Sequence, residues 1–124
     1  MSAKVLIVED EANIADALAF ILGRAGYDVQ VESDGATAPD RIRALRPDLV
    51  VLDVMLPGLS GFDILRQMRA DDALSAIPVM MLTAKGQERD RATAESIGAN
   101  LFVTKPFSNA EVVDAVRTLL TESE

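Results

Sequence analysis

Along this chain, short apolar runs alternate with stretches whose apolar residues recur every three or four positions. Lys4-Val5-Leu6-Ile7-Val8, Leu49-Val50-Val51-Leu52 and Ile77-Pro78-Val79-Met80-Met81-Leu82-Thr83 are continuous runs closed by polar or turn residues. That pattern predicts strands buried on both faces of a parallel sheet. Pro78 stands at the start of its run, where a missing N–H is tolerated. Leu101-Phe102-Val103-Thr104 is a shorter run, and Asp28 to Glu32 alternates, with Val29 and Val31 on one face. Ser33-Asp34-Gly35 then reads as a turn.

The intervening stretches read as helices. Ile14, Leu18, Ile21, Leu22 and Ala25 share a face, and Gly26 follows as a stop. Ala36 to Leu45 carries Ala38, Ile42 and Leu45 but also Pro39, so that helix should start late, near Pro39, or kink there. Ser60-Gly61-Phe62-Asp63 and Ser108-Asn109-Ala110-Glu111 are capping-box patterns. The first opens a helix with Phe62, Leu65 and Met68 inward and Arg66 and Arg69 outward. The second opens a last helix with Val112, Val113, Val116, Leu119 and Leu120 inward. Gln87 to Ile97, closed by Gly98, has a thin apolar face of Ala92, Ala94 and Ile97. Five alternations of strand and helix predict an α/β domain with a parallel sheet covered on both faces, its first and third strands central. The 124 residues suit one domain spanning 1–124, with a polar tail, Thr121-Glu122-Ser123-Glu124, expected to fray.

Composition narrows the chemistry. There is no Cys and no His, which removes disulfides, thiolate metal sites and imidazole as base or ligand. The net charge of -8 argues against nucleic acid as a direct partner. No stretch approaches the ~20 apolar residues that span a membrane, and nothing resembles a signal peptide, so a cytoplasmic domain with no membrane association is the expectation.

The apolar runs end in chemically able groups: Glu9-Asp10 after the first, Asp53 after the third, Thr83 after the fourth and Lys105 after the fifth. In a parallel sheet those ends share one edge, where ligands of open α/β folds bind. Taken singly, Asp53 can start a turn, Glu9 and Asp10 can favour a helix N-terminus, and Thr83 and Lys105 can be turn and solvated residues. Together they suggest a site. Clustered carboxylates repel unless a hard divalent cation relieves them, and oxygen-only donors suit Mg²⁺. A carboxylate beside such a cation can take up a phosphoryl group, with Lys105 and Thr83 as donors to it.

With these residues in view, the chain resembles the receiver domain of two-component response regulators. Val5 to Glu11, Pro47 to Asp53 with Pro57-Gly58 and Gly61, Leu82-Thr83-Ala84 and Lys105-Pro106-Phe107 carry the resemblance over essentially the whole length. It implies a flavodoxin-like doubly wound five-stranded sheet, order 2-1-3-4-5, with five helices. It further implies that Asp53 accepts a phosphoryl group from a histidine kinase or histidine phosphotransfer protein. Glu9, Asp10, Asp53 and the backbone carbonyl of Met55 would hold Mg²⁺ (or Mn²⁺), Glu9 mainly through water. Thr83 and Lys105 would bind the phosphoryl group, Thr83 and Phe102 would act as switch residues, and the Lys105-Pro106 bond would be cis. The domain would catalyse only its own phosphorylation and dephosphorylation. It would switch a surface around the fourth helix, fifth strand and fifth helix toward a downstream protein or a missing effector domain, as a monomer or a weak phosphorylation-dependent dimer.

Some positions depart from the pattern. Phe102 stands where the family often has tyrosine. Receivers that resemble this one and dimerise usually have two acids where this chain has Asn100-Leu101, leaving Arg91 and Glu111 as one cross-subunit pair. Met55 and Lys85 are expected to flank the route of the hydrolytic water. Other functions remain on the table. A small-molecule phosphatase would want an acid at the place of Met55. A flavin domain would want a Gly/Ser/Thr phosphate cradle after the first strand, where Glu9-Asp10-Glu11 stands. A receiver-like scaffold that is never phosphorylated would not need the full acid set.

Overall fold

A computed structural model describes residues 2–84 and 88–122. Strands and helices alternate as β1 (Lys4–Val8), α1 (Ala12–Arg24), β2 (Asp28–Glu32), α2 (Ala38–Leu45), β3 (Leu49–Asp53), α3 (Gly61–Ala70), β4 (Val79–Ala84), α4 (Glu88–Ile97), β5 (Leu101–Lys105) and α5 (Asn109–Glu122). All neighbouring strands pair in parallel, in the order β2-β1-β3-β4-β5. This is the flavodoxin-like doubly wound arrangement, and β1 and β3 are adjacent interior strands. No helix among the described residues is long and apolar enough to cross a membrane.

The continuous apolar runs have a simple cause. Side chains alternate across a strand, and both faces of this sheet are covered. Leu6, Val8, Val50, Leu52, Val79 and Met81 face one way, onto Ile42, Ile64, Leu65, Met68 and Ala94. Val5, Ile7, Leu49, Val51, Met80 and Leu82 face the other, onto Leu18, Leu22, Val112, Val116 and Leu119. Both parities of β1, β3 and β4 are therefore apolar, and every residue of β3 is buried. On the edge strand β2, Val29 and Val31 are only half-buried against the second cluster.

Local signals explain the helix bounds. Gly26, after α1, has φ of 101°, a conformation L side chains rarely adopt. Pro39 falls in the first turn of α2, where its missing N–H costs nothing, so the helix starts late rather than kinking. At α5 the capping box is reciprocal: Glu111 N–H donates to Ser108 Oγ at 3.1 Å and Ser108 N–H to Glu111 Oε1 at 3.2 Å. At α3 it is half formed. Asp63 N–H donates to Ser60 Oγ, but the Asp63 carboxylate takes the Ser60 hydroxyl rather than its N–H. β4 begins at Val79 rather than Ile77 because Ile77 closes a turn on Leu74 O.

Thr121 and Glu122 are the last residues of α5, and Ser123 and Glu124 lie outside the described residues. Two expectations need correction. Ala92 is exposed, so α4 touches the core through Ala94 and the half-buried Ile97; the Gln87 start predicted for this helix lies outside the described residues. Arg69 does not point to solvent. It follows Leu65 by four positions and Met68 by one, which puts it at the rim of the buried face. Its guanidinium donates to Gly98 O (3.0 Å), Ile77 O (2.9 Å), Ser75 O (3.1 Å) and Asn100 Oδ1 (2.9 Å). Asn100 Oδ1 also accepts Val79 N–H at 2.8 Å. One cation thus ties the end of α3 to the end of α4 and to the entry of β4.

Replacing Arg69 should therefore cost far more than replacing its exposed neighbour. Arg69→Met is expected to lower unfolding free energy by about 2–3 kcal/mol, since it strands carbonyls that had a charged donor. Arg66→Met, which loses only a surface pair with Asp63, should stay within about 0.5 kcal/mol. Urea unfolding of both variants checks this, and equal effects would mean that Arg69 is merely solvated.

Candidate functional site

The strand register brings the polar ends together. Val8 pairs with Leu52, so Glu9 and Asp53 emerge side by side from β1 and β3. Asp53 pairs with Leu82, which puts Thr83 one step further out on β4, and Ala84 pairs with Lys105 at the end of β5. Glu9, Asp53 and Thr83 are the buried polar side chains of the core, at 1%, 3% and 4% exposure. Asp10 is exposed and forms the solvent side of the cluster.

Lys105 reaches across two strands to join the acids. Its Nζ lies 3.2 Å from Glu9 Oε2 and 3.3 Å from Asp53 Oδ1. Asp53 Oδ1 also accepts Met55 N–H at 3.4 Å, and Glu9 Oε1 accepts Glu11 N–H at 3.1 Å. One ammonium does not balance this set. Burial, with the charge of Asp53 added, pushes the Glu9 carboxyl up to about 7 against the opposing pull of Glu11 N–H and Lys105. Burial alone would lower Lys105; the facing Asp53 and Glu9 more than offset it and hold the ammonium above its ordinary value.

The donor set fits a divalent cation. One carboxylate oxygen each from Glu9, Asp10 and Asp53 lie within 4.8 Å of one another. Glu9 Oε2 is buried without a hydrogen-bond partner among the described residues, because its approach to Lys105 has ion-pair distance but not hydrogen-bond geometry. A buried carboxylate oxygen short of a donor is a position a cation satisfies, and three oxygen donors with no nitrogen or sulfur select a hard one.

The other expected residues surround this centre. Met55 is 72% exposed just beyond Asp53. The Lys105-Pro106 peptide is cis. Phe102 is half-buried on β5, and the Arg91 guanidinium of α4 sits 5.2 Å from its ring centroid. That contact, and the capping box that occupies Glu111, engage Arg91 and Glu111 within one protomer. Lys85 lies outside the described residues. Two features were not read from the sequence. Gly61 opens α3 so close to β3 that a Cβ there would meet Asp53 O; any residue can follow a capping serine, so the capping motif alone gave no hint. A cavity of about 390 Å³, lined by Ile14, Ala84, Lys105, Pro106 and Phe107, flanks the lysine, and its walls come from segments far apart in the chain.

A doubly wound parallel sheet carrying an acid cluster and a lysine at the carboxyl ends of its strands defines the class of this protein. The chain belongs to the response regulator receiver domain family, whose model matches residues 5–117. It is 43% identical, over all of its 124 residues and 51% of the relative, to the alkaline phosphatase synthesis transcriptional regulatory protein PhoP of Bacillus subtilis (strain 168). It is 41% identical, over all of the chain and 54% of the relative, to the DNA-binding response regulator MtrA of Mycolicibacterium paratuberculosis. The chain thus spans about half the length of these curated relatives. Among solved structures it resembles the Vibrio cholerae chemotaxis protein CheY4, with a TM-score of 0.89 and 27% identity over 96% of this chain and 99% of that one.

The raised Glu9 pKa has a consequence for the metal-free protein. Between its ordinary value near 4.5 and about 7, folded Glu9 binds a proton that the unfolded chain releases. Its contribution to stability is therefore present at low pH and lost as pH rises through that window. Unfolding of wild type and Glu9→Gln in EDTA, from pH 4.5 to 8, should show the variant gaining on wild type as pH rises. A constant difference across the window would refute it.

Proposed function

We propose that Asp53 accepts a phosphoryl group from a histidine kinase or histidine phosphotransfer protein, and that this switches a protein-binding surface around α4, β5 and α5. The observation that carries the reading is Lys105, held 3.3 Å from Asp53 Oδ1 on a carboxylate only 3% exposed at the switch point of the sheet. In the transfer, an Asp53 oxygen forms a bond to phosphorus as the donor's N–P bond breaks; the electron pair leaves with the imidazole, which takes a proton. Glu9, Asp10, Asp53 and the Met55 carbonyl are the residues that would hold Mg²⁺ or Mn²⁺, which when bound neutralises phosphoryl oxygens. The chain's own residues do the rest. Lys105 gives a cationic donor to the phosphoryl group, the Thr83 hydroxyl gives a neutral one, and Met55 N–H steadies the carboxylate. The chemistry is confined to the domain's own phosphorylation and dephosphorylation.

The product would add ~1.5–2 negative charges beside Lys105 and Thr83. Thr83 pairs in register with Thr104, two residues from Phe102, and Phe102 bears Arg91 of α4. Drawing Thr83 inward would thus act on Phe102 and on a helix whose core contact is thin. The relatives are named as a transcriptional regulator and a DNA-binding regulator, so the output is either an attached effector or a separate partner protein, in a cytoplasmic setting. With a net charge of -8, this domain would not itself contact nucleic acid. The phosphatase alternative is disfavoured because Met55 offers no acid.

Intact mass after incubation with a small phosphodonor and Mg²⁺ tests the reading. One phosphoryl group should add to wild type, need the metal and be absent from Asp53→Asn; no addition with several donors would leave the scaffold alternative. Thr83→Ala should still take up the group but should blunt the change in amide exchange across residues 88–97. A response equal to wild type would overturn the role given to Thr83.

A further inference from the structure

We infer that Met55 is a reversible oxidation site, and that its sulfoxide shortens the lifetime of the phosphoryl group on Asp53; the second half rests on the phosphoryl-acceptor reading above. The chain contains no cysteine and no tryptophan, so methionine sulfur is its most oxidisable group. Burial separates the methionines sharply. Met68, Met80 and Met81 are 1%, 0% and 0% exposed, while Met55 is 72% exposed, and Met1 lies outside the described residues. A small peroxide therefore meets one thioether of the folded core region in open solvent. That thioether stands two residues from Asp53, and its own backbone N–H donates to Asp53 Oδ1 at 3.4 Å.

The step balances with a peroxide as oxidant. The sulfur gives up two electrons, the O–O bond breaks, an S=O bond forms and water leaves. A thiol-dependent sulfoxide reductase reverses it by supplying two electrons and releasing water. The product replaces a weak acceptor with a strong, polar one at the solvent side of the site. Hydrolysis of the acyl phosphate requires a water whose oxygen bonds phosphorus as the Asp53 O–P bond breaks. Asp53 ends a strand flanked by β1 and β4, Lys105 lies 3.3 Å from its Oδ1, and Asp10 and Met55 are the exposed residues of the site, where solvent water is at hand. A sulfoxide oxygen there can hold such a water, whereas the thioether sheds it.

The test uses the whole chain. Partial treatment with hydrogen peroxide, followed by peptide mapping, should place the first oxygen on Met55 well before Met68, Met80 or Met81. The mixture is then loaded with acetyl phosphate and Mg²⁺, freed of donor and followed by intact mass, so both forms decay in one tube. The species with one extra oxygen should lose its phosphoryl group faster by about threefold or more, the rate equivalent of one net hydrogen bond. A sulfoxide reductase should restore the slower decay. In Met55→Leu, peroxide should leave the decay unchanged. Equal decay of the two forms, a persisting peroxide effect in Met55→Leu, or oxidation of the buried methionines alongside Met55 overturns the inference. Absence of any phosphoryl group on the unoxidised chain instead overturns the acceptor reading, and the lifetime effect with it, while the oxidation map is decided by its own result.

Discussion

Two carboxylates and an ammonium, held in direct contact at the carboxyl edge of the sheet, set the terms for the rest of this molecule. Glu9 and Asp53 leave adjacent strands in register, so the backbone ladder, not any affinity between them, brings their charges together. Like charges about 4 Å apart repel by roughly 4 kcal/mol at an effective dielectric near 20. Lys105 relieves part of this by touching both acids, but one positive charge against Glu9, Asp53 and Asp10 leaves an acidic surplus. The raised Glu9 pKa and the lack of a hydrogen-bond donor to Glu9 Oε2 among the described residues are two views of that surplus. Such a cluster weakens the fold. It persists because a five-stranded ladder and two apolar cores hold the strand ends in place regardless of what the ends prefer.

The surplus has mechanical value only if some nearby element can yield, and α4 is the candidate. Its inward contacts are Ala94 and a half-buried Ile97, whereas α3 buries Ile64, Leu65 and Met68. The attachments of α4 are also unequal. At its C-terminal end the Arg69 guanidinium holds Gly98 O and, through Asn100, the entry of β4. Nearer its N-terminal end, among the described residues, Arg91 makes a cation–π approach to Phe102, worth about 0.5–1 kcal/mol at an exposed site. Among the described residues the firmer attachment of α4 is therefore the one at its C-terminal end.

How much of this could be read from the chain follows from the same physics. The strands were legible because both parities of β1, β3 and β4 are apolar, which only a doubly covered parallel sheet demands. The site was legible because a strand-end acid in that context has few structural uses, and Glu9, Asp53 and Lys105 do converge. Arg69 was not legible. A helix rim position is ambiguous until one knows which carbonyls face it, and those of Ser75, Ile77 and Gly98 come from two other segments. The inward side of α4 failed for a related reason: with Ala92 and Ala94 of equal apolarity, the pattern does not say which is turned to the core. Gly61 was present in the motif, but its cause, the closeness of α3 to Asp53 O, is a distance between elements.

The steep change in exposure between Asp53 and Met55 gives the site its direction. Within two residues the chain passes from 3% to 72% exposure, so a buried carboxylate stands directly beside open solvent. β1 and β4 flank its strand, and Lys105 lies 3.3 Å from Oδ1. On the acceptor reading, a phosphodonor and later a hydrolytic water both come from solvent, to which Asp10 and Met55 are exposed. Those exposed residues therefore bear on both arrival and loss of the group, whereas Thr83 and Lys105, at the ends of β4 and β5, govern what the group does while present. The two controls sit on different residues, so lifetime and output can be changed separately.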